Sequence, residues 1–309
     1  MKIVHSIKSF VTNKPTIITI GTFDGVHLGH RKILEQIIDT AKSQDCESLV
    51  LTFFPHPRMV LQEGTEMKQL NTLNEKIALL ENLGVDHLVV HPFDKEFSRL
   101  TAEDFVKQVL VDTFKLKKII IGHDHRFGRN RTADINDLVE FGNAFGFEVE
   151  QISAQEINEV SISSTKIRTA LSEGNIELAN DYLGYDYSLT GMVSKGKQLG
   201  RTIGYPTANI NPEEDYKLIP QNGVYIAKSV IDGKTVYGMM NIGNRPTVDG
   251  THQTIEINFF DFNQDLYDQK ITVSFLKRMR NEQKFDSLDA LKNQLALDKS
   301  TALNFISQL

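Results

Sequence analysis

The chain has 309 residues, about twice the ~150 that one hydrophobic core serves, so two domains are expected. Hydrophobic residues make up 40% and charged residues 24%, a globular balance that excludes a disordered or fibrous chain. The net charge of −6 excludes a global basic field for nucleic acid, the single Cys46 excludes an internal disulfide, and no run of about 18 apolar residues could span a membrane. Polar residues from His5 to Lys14 interrupt the first twenty positions, so no secretory segment is expected and the cytoplasm is the expected location.

In chain order, Thr16–Ile20 reads as a strand and Leu28–Ala41 as an amphipathic helix. Strand Ser48–Phe53, helix Asn74–Leu83, strand His87–Val90 and a helix through Asp104–Phe114, N-capped by Thr101, follow. Strand Lys118–Ile121, helix Ile135–Phe145 and strand Phe147–Ile152 complete the series. Such alternation predicts an α/β domain with a Rossmann-like parallel sheet, whose ligands bind beyond the carboxyl ends of the strands. That singles out the residues after Ile20, Phe53 and Ile121. From about Leu189 the pattern changes to short alternating runs. Val224–Val230 and Lys234–Met240 flank Asp232-Gly233, a strong hairpin signal, and Thr254–Phe260 and Ile271–Phe275 follow. Ser287 then caps a helical tail. The expected second domain is a small antiparallel β-barrel or sandwich with a C-terminal helix, and the expected domains are residues 1–185 and 186–309. Charge shifts at the same place: residues 1–185 hold 20 basic and 26 acidic side chains, the remainder 14 of each.

The first predicted strand runs into Gly21-Thr-Phe-Asp-Gly-Val-His-Leu-Gly-His30 and straight on into a helix. Glycines let a backbone approach phosphate closely, and a helix N-terminus offers unpaired N–H groups to an anion. His27 and His30 can point at the same phosphates. Alone, the tetrapeptide reads equally as a tight turn with two surface histidines, and a metal pair is a third reading that lacks a further ligand at helical spacing. Gly122-His-Asp-His-Arg-Phe-Gly-Arg-Asn-Arg131 and Phe53-Phe-Pro-His-Pro-Arg58 are loops of the same kind, the first suited to a polyanion with a ring to stack. Ser161-Ile-Ser-Ser-Thr-Lys-Ile-Arg168 opens a helix. Its serines are ordinary N-caps in isolation and a second phosphate clamp beside the histidine loop.

In the second half, Gly191–Lys197 nearly spells a P-loop, but Gln198 stands where Ser or Thr is required and no helix pattern follows. The stretch Gly196-Lys-Gln-Leu-Gly-Arg-Thr-Ile-Gly-Tyr-Pro-Thr-Ala-Asn209 reads as a pliant flap with Lys197 and Arg201 available to phosphates. Thr207 and Asn209 share one strand face and offer hard oxygen ligands suited to Mg²⁺. Apolar Ile255 and Ile257 put the Glu256 carboxylate on the opposite face, where it could act as a general base.

The stretches GTFDGVHLGH, FFPHPR, GHDHRFGRNR and ISSTKIR together resemble the HxGH nucleotidyltransferase superfamily, and closely its flavin branch, the FMN adenylyltransferase module of bacterial FAD synthetases. That resemblance implies catalytic roles for His27 and His30. It implies ATP binding by Gly21, Thr22, Phe23, Gly25, Gly29, Ser163, Ser164, Thr165 and Arg168, and flavin binding by His56, Arg58, Asp124, Arg126 and Phe127. His125 stands where the family more often has Phe, and Lys166 replaces a usual Arg. The flap, the PTAN strand, Asn241–Thr247 and Arg280–Phe285 resemble the riboflavin kinase domain in its own order. By that resemblance Gly196, Lys197, Gly200, Arg201, Gly204 and Pro206 bind ATP, and Thr207 and Asn209 hold its magnesium. Glu256 activates the ribityl 5′-hydroxyl, and Arg280, Glu282 and Phe285 lie in the flavin loop. Asp268 stands where Gly is usual. The expected function is therefore bifunctional: riboflavin and ATP give FMN and ADP in the C-terminal domain, and FMN and ATP give FAD and pyrophosphate in the N-terminal one. Its expected partners are small molecules only, without nucleic acid or membrane, and a homo-oligomer is compatible with it. The rivals are a nucleotidyltransferase whose barrel only binds flavin and a flavin- or nucleotide-sensing regulator built on degenerate copies. The presence of His27, His30, Thr207, Asn209 and Glu256 speaks against both.

Overall fold

Neighbouring residues of the first long strand bury in different cores. Ile18 joins Leu49, Leu51, Val89 and Ile119, whereas Ile17 joins Val50, Leu88 and Ile120. This is the period-two alternation of a sheet covered on both faces. In the computed structural model, which describes residues 1–62, 67–123, 125–153, 162–196, 199–247 and 250–309 (Arg131, Leu199, 245–247 and 250–252 by backbone alone), the chain divides into two compact units, Met1–Ser163 and Ser164–Leu309.

The first unit carries β1 (Lys2–Val4), β2 (Thr16–Ile20), β3 (Glu47–Phe53), β4 (His87–His91), β5 (Leu116–Gly122) and β6 (Glu148–Ile152) in the order β1-β4-β3-β2-β5-β6. Every pairing is parallel. The α1 helix (Leu28–Ser43) covers the Ile17 face with Ile33, Leu34, Ile37 and Ile38, and α3 (Leu73–Leu83) adds Leu80. The opposite face is covered by α5 (Ile135–Phe145), through Leu138, and by a helical stretch contributing Phe105, Val106, Val109 and Leu110. At ~1.5–3 kcal/mol per buried side chain of this size, these faces hold the sheet together. The predicted Asp104–Phe114 helix differs in kind. A short α4 (Ala102–Asp104), capped by Thr101, passes into a π-helix over Phe105–Thr113, with Phe114 N donating to Val109 O at 3.1 Å. Hydrophobic spacing reads the buried face and cannot separate a wider helix from an α-helix.

Strand order reverses between β2 and β5: the chain walks outward from β2 through β3 to β4, then returns to β5 on β2's other side. Ligands of open parallel sheets bind at such a switch point. The loops leaving β2, β3 and β5, together with α2 (Pro57–Leu61) after β3, are the ones singled out from sequence.

The second unit begins with α6 (Ser164–Ser172) and α7 (Ile176–Leu183). Then come β7 (Ser188–Ser194), a single turn α8 (Leu199–Thr202), β8 (Ala208–Pro212), β9 (Gly223–Ile231), β10 (Lys234–Thr247), β11 (Gly250–Phe259) and β12 (Lys270–Arg280). The strands close as β10-β11-β8-β7-β12-β9, so of the two expected architectures the barrel is the one formed. The β9–β10 turn takes left-handed φ at both Asp232 (49°) and Gly233 (75°), the geometry that matches strand twist in two-residue hairpins. The final helix, α9 (Leu288–Ile306), starts at the Ser287 N-cap and buries Ala302 with Ile226, Met239, Phe260 and Leu276.

Candidate active sites

The chain leaves β2 through a strained turn. Phe23 (φ 46°) and the β-branched Val26 (φ 38°) occupy the left-handed region alongside Gly25 (φ 90°). Glycine does so freely; for the other two the cost is on the order of 1–3 kcal/mol each. Burial of both side chains offsets it, and the Val26 N–H donates to Phe23 O at 3.2 Å. Two buried tethers complete the turn. Asp24 Oδ1 accepts the Leu70 N–H at 2.9 Å and the Asn71 N–H at 3.4 Å. The Thr22 carbonyl accepts from Lys76 Nζ at 2.7 Å and from Thr52 Oγ1 at 3.3 Å.

His27 is the N-cap of α1, its Nδ1 accepting the His30 N–H at 3.3 Å. Accepting at Nδ1 places the proton of neutral His27 on Nε2, the nitrogen that can donate to a phosphate oxygen. The two imidazoles stack with centroids 3.6 Å apart and planes 17° from parallel, and Phe23 meets His30 edge-on at 5.2 Å. Burial first, then the nearby His27 and Lys76, hold the His30 pKa well below its ordinary value. His30 is thus neutral at pH 7, with a buried Nδ1 that has no partner among the described residues. Also among the described residues, no three His, Cys, Asp or Glu side chains gather around a metal position.

In the loop after β3, His56 is buried and caps α2, its Nδ1 accepting the Arg58 N–H at 3.1 Å, while the Arg58 side chain is exposed. After β5, Arg126 is exposed and Phe127 is buried in the core, its ring stacked on His125 at 6.1 Å and 19°. Asp124 lies outside the described residues. Sequence reading missed what stands beside these loops. Phe53, Phe93 and Phe97 pack at 5.5–6.0 Å, His91 meets Phe97 at 4.6 Å, and Phe97 reaches Phe127 through Phe105. An aromatic wall therefore lines the carboxyl ends of β3 and β4. Of the Ser161–Arg168 stretch, Ser161 lies outside the described residues, Ser163 ends the first unit, and Ser164, Thr165 and Arg168 lie in the first turns of α6 with Ile167 buried.

In the barrel, strand register does the assembling. Glu256 on β11 stands opposite Asn209 of β8 on one side and Asn241 of β10 on the other. Its neighbours Ile255 and Ile257 are buried, so its carboxylate faces away from the core. Thr207 Oγ1 donates to Glu256 Oε2 at 3.1 Å, and Asn258, one repeat along, donates from Nδ2 to Pro206 O at 2.7 Å and ties the PTAN segment to β11. Two glycines permit close approaches. A Cβ at Gly196 would lie 2.3 Å from Asn209 Nδ2, and one at Gly243 would lie 2.1 Å from Glu282 Oε1. Thr207, Asn209 and Glu256 thus come together with Gly196 against Asn209, and the register adds Asn241, the first residue of the Asn241–Thr247 segment, while Glu282 lies against Gly243.

The flap continues through α8, where Tyr205 N–H donates to Gly200 O at 2.8 Å, and Gly204 takes φ 85°. Arg201, Pro206 and Thr207 line a cavity of about 170 Å³ together with Phe259, Phe262 and Tyr267. Lys197 lies outside the described residues. Asp268 adopts φ 60°, so the turn keeps the left-handed conformation that a glycine would take there. Arg280 is held along its Nε–Nη2 edge by the buried Asp298 of α9 (Nη2–Oδ2 2.6 Å, Nε–Oδ1 3.0 Å), and its Nη1 donates to Asn281 O at 3.0 Å. The Phe285 ring lies 5.9 Å from its guanidinium carbon.

A helix N-terminus with imidazole donors in one place, and hydroxyl, amide and carboxylate groups gathered in the other, are the kinds of group that phosphoryl and nucleotidyl transfer use. Comparison with known proteins narrows the class. The FAD synthetase family model matches residues 10–166 and the riboflavin kinase family model residues 183–306. The bifunctional riboflavin kinase/FMN adenylyltransferase of Escherichia coli K12 is 37% identical over 99% of this chain and 98% of its own. That of Bacillus subtilis 168 is 36% identical over 95% and 93%. A Streptococcus pneumoniae crystal structure titled macrolide-efflux protein superposes with a TM-score of 0.89 at 32% identity over 98% of both chains. The chain belongs to the bifunctional riboflavin kinase/FMN adenylyltransferase family, with an N-terminal FAD synthetase domain and a C-terminal flavokinase domain.

Proposed function

We propose that residues 1–185 adenylylate FMN at the Gly21–His30 turn and that residues 186–309 phosphorylate riboflavin at the Glu256 face of the barrel. The observation that carries this reading is that the Gly21–His30 turn lies in the first compact unit and the Glu256 face of the barrel in the second.

In the kinase step the ribityl 5′-hydroxyl attacks the γ-phosphorus of ATP. Glu256 accepts the hydroxyl proton, the new O–P bond forms, and the bond to the β-phosphate oxygen breaks to release ADP. Thr207 and Asn209 offer a hydroxyl and an amide oxygen, hard donors that would hold Mg²⁺ beside the Glu256 carboxylate. That ion, when bound with ATP, neutralises phosphate charge. The Lys197–Pro206 flap covers the nucleotide, the Arg201 cavity takes part of it, and Arg280 orders the Glu282–Phe285 loop over the flavin. In the adenylyl step an FMN phosphate oxygen attacks the α-phosphorus of ATP in line, and pyrophosphate leaves. No protein nucleophile is required. Donors from the α1 N-terminus, His27 Nε2 and His30 stabilise the charge that develops on the α-phosphate. His56, Arg58, Asp124 and Arg126 hold FMN with its ring against the aromatic wall that includes Phe127.

Riboflavin, FMN and ATP are then the partners, and the cytoplasm, where ATP is supplied, is the location. Among the described residues no helix is long and apolar enough to cross a membrane. The test is chromatography of products from riboflavin, ATP and Mg²⁺. FMN appearing first and FAD later supports the reading, and no flavin conversion overturns it.

A further inference from the structure

Lys76 is a lysine buried where an amphipathic helix would place a core residue. It lies in the first turns of α3, 2% exposed, and its ammonium points at the back of the turn that carries the histidines. Nζ donates to the Thr22 carbonyl at 2.7 Å, and the Asp24 carboxylate lies within its Coulombic reach. Asp24 in turn accepts the Leu70 N–H just before the Thr72 cap of α3. The first turns of α3 and the strained turn are therefore closed into one loop of buried polar contacts. A buried ammonium without a function is expensive, and an apolar residue there would pack at no such cost. Among the described residues its hydrogen bond goes to a backbone carbonyl, whose peptide plane it fixes. In a trans peptide, anchoring the Thr22 carbonyl toward α3 aims the Phe23 N–H the opposite way.

We propose that Lys76 is a positioning residue for adenylyl transfer: its ammonium pins the Thr22 carbonyl and Asp24, and so holds the strained Gly21–His27 turn in the shape that receives the ATP polyphosphate. The inference rests on reading Gly21–His30 as the adenylyltransferase site. It also gives the site a positive charge from below that no mobile side chain supplies. Among the described residues, the charged or titratable groups acting on His30 are His27 on its own helix cap and Lys76 from α3, with Asp24 beside Lys76. Removing the ammonium therefore lifts one of the two charges that oppose protonation of His30.

The test uses the full chain with Lys76→Met, which keeps length and loses the donor and charge, and Lys76→Gln, which keeps a donor and loses the charge. FAD formation from supplied FMN is followed against ATP concentration and pH, and riboflavin phosphorylation serves as the internal control. Lys76→Met is expected to raise the ATP KM of FAD formation at least tenfold and to shift the acidic limb of its pH profile upward. Lys76→Gln should lie between it and the parent, and FMN formation should stay within twofold in both. A purely structural residue would lower the amount of active enzyme without moving either the KM or the limb. An unchanged KM and limb in Lys76→Met overturns the proposal; if that variant fails to fold, the same outcome in Lys76→Gln does so. Full FAD synthesis by the His27→Ala, His30→Ala double variant would instead overturn the site assignment itself.

Discussion

The two active-site regions are built on opposite plans. The N-terminal one is contiguous: ten residues from Gly21 to His30 leave one strand, pass through three left-handed residues and enter one helix. The barrel site is discontinuous. Thr207 and Asn209 reach it from β8 and the loop before it, Asn241 from β10, Glu256 from β11, and Glu282 from the loop after β12. A contiguous site concentrates its strain in one turn and depends on whatever clamps that turn from behind. A discontinuous site carries little local strain and depends on strand register, because a slip of one residue would turn Glu256 into the core and Ile255 or Ile257 out.

The sharpest way to break this comparison is to disable one centre and watch the other. Glu256→Gln removes the proposed base without changing the side-chain outline. FMN formation is expected to fall ~10²–10⁴-fold, the usual worth of general base catalysis, while adenylylation of supplied FMN stays within twofold. Joint loss of both activities, read by chromatography of the flavins, would show that the centres are not independent. The His27→Ala, His30→Ala double variant is the mirror experiment. FAD formation should drop ~10²–10³-fold, as removal of a preorganised charge-stabilising donor does, and FMN should accumulate.

The same contrast explains how much could be read in advance. GTFDGVHLGH is visible as a string because its site is a string, and the strand–helix alternation around it gave the parallel sheet. Lys76 was hidden because a lysine in an amphipathic helix reads as a solvated face, and only coordinates show Nζ against Thr22. The π-helical stretch at Phe105–Thr113 was hidden because its buried face repeats almost as an α-helix does. In the barrel, Thr207, Asn209 and Glu256 could be picked out, but Asn241 and Asn258 acquire meaning only from pairing, which one sequence does not state. The aromatic wall of Phe53, Phe93 and Phe97 drew on residues from two separate strand ends, so no local pattern announced it.

A milder test probes how tightly the discontinuous site is packed. A Cβ at Gly243 would come within 2.1 Å of Glu282 Oε1, the far end of an exposed and flexible side chain. Gly243→Ala should therefore displace Glu282 rather than unfold the barrel. Its expected signature is a riboflavin KM raised a few-fold, about 1 kcal/mol of lost binding, with an unchanged melting temperature. A melting temperature lowered by several degrees would mean that Gly243 is needed by the barrel itself and not by the loop.

The smallest expected effect concerns proton linkage in the contiguous site. Burial, His27 and Lys76 hold the His30 pKa below the ~6.5 of an unfolded histidine. Between those two values the unfolded chain binds a proton that the folded chain refuses, so stability rises with pH there. The stabilisation is complete above about pH 6.5 and is lost as pH falls from there toward the folded value, by no more than about 1.4 kcal/mol per pH unit. Thermal unfolding of the parent chain between pH 7.5 and 5 should show this decline in the transition of the first unit, and His30→Gln should flatten it. His30 lies in the first unit, so the barrel transition should not change with the substitution. Equal slopes in parent and variant would mean that His30 accepts its proton readily in the folded turn. The neutral donor assigned to it in adenylyl transfer would then have to be an imidazolium.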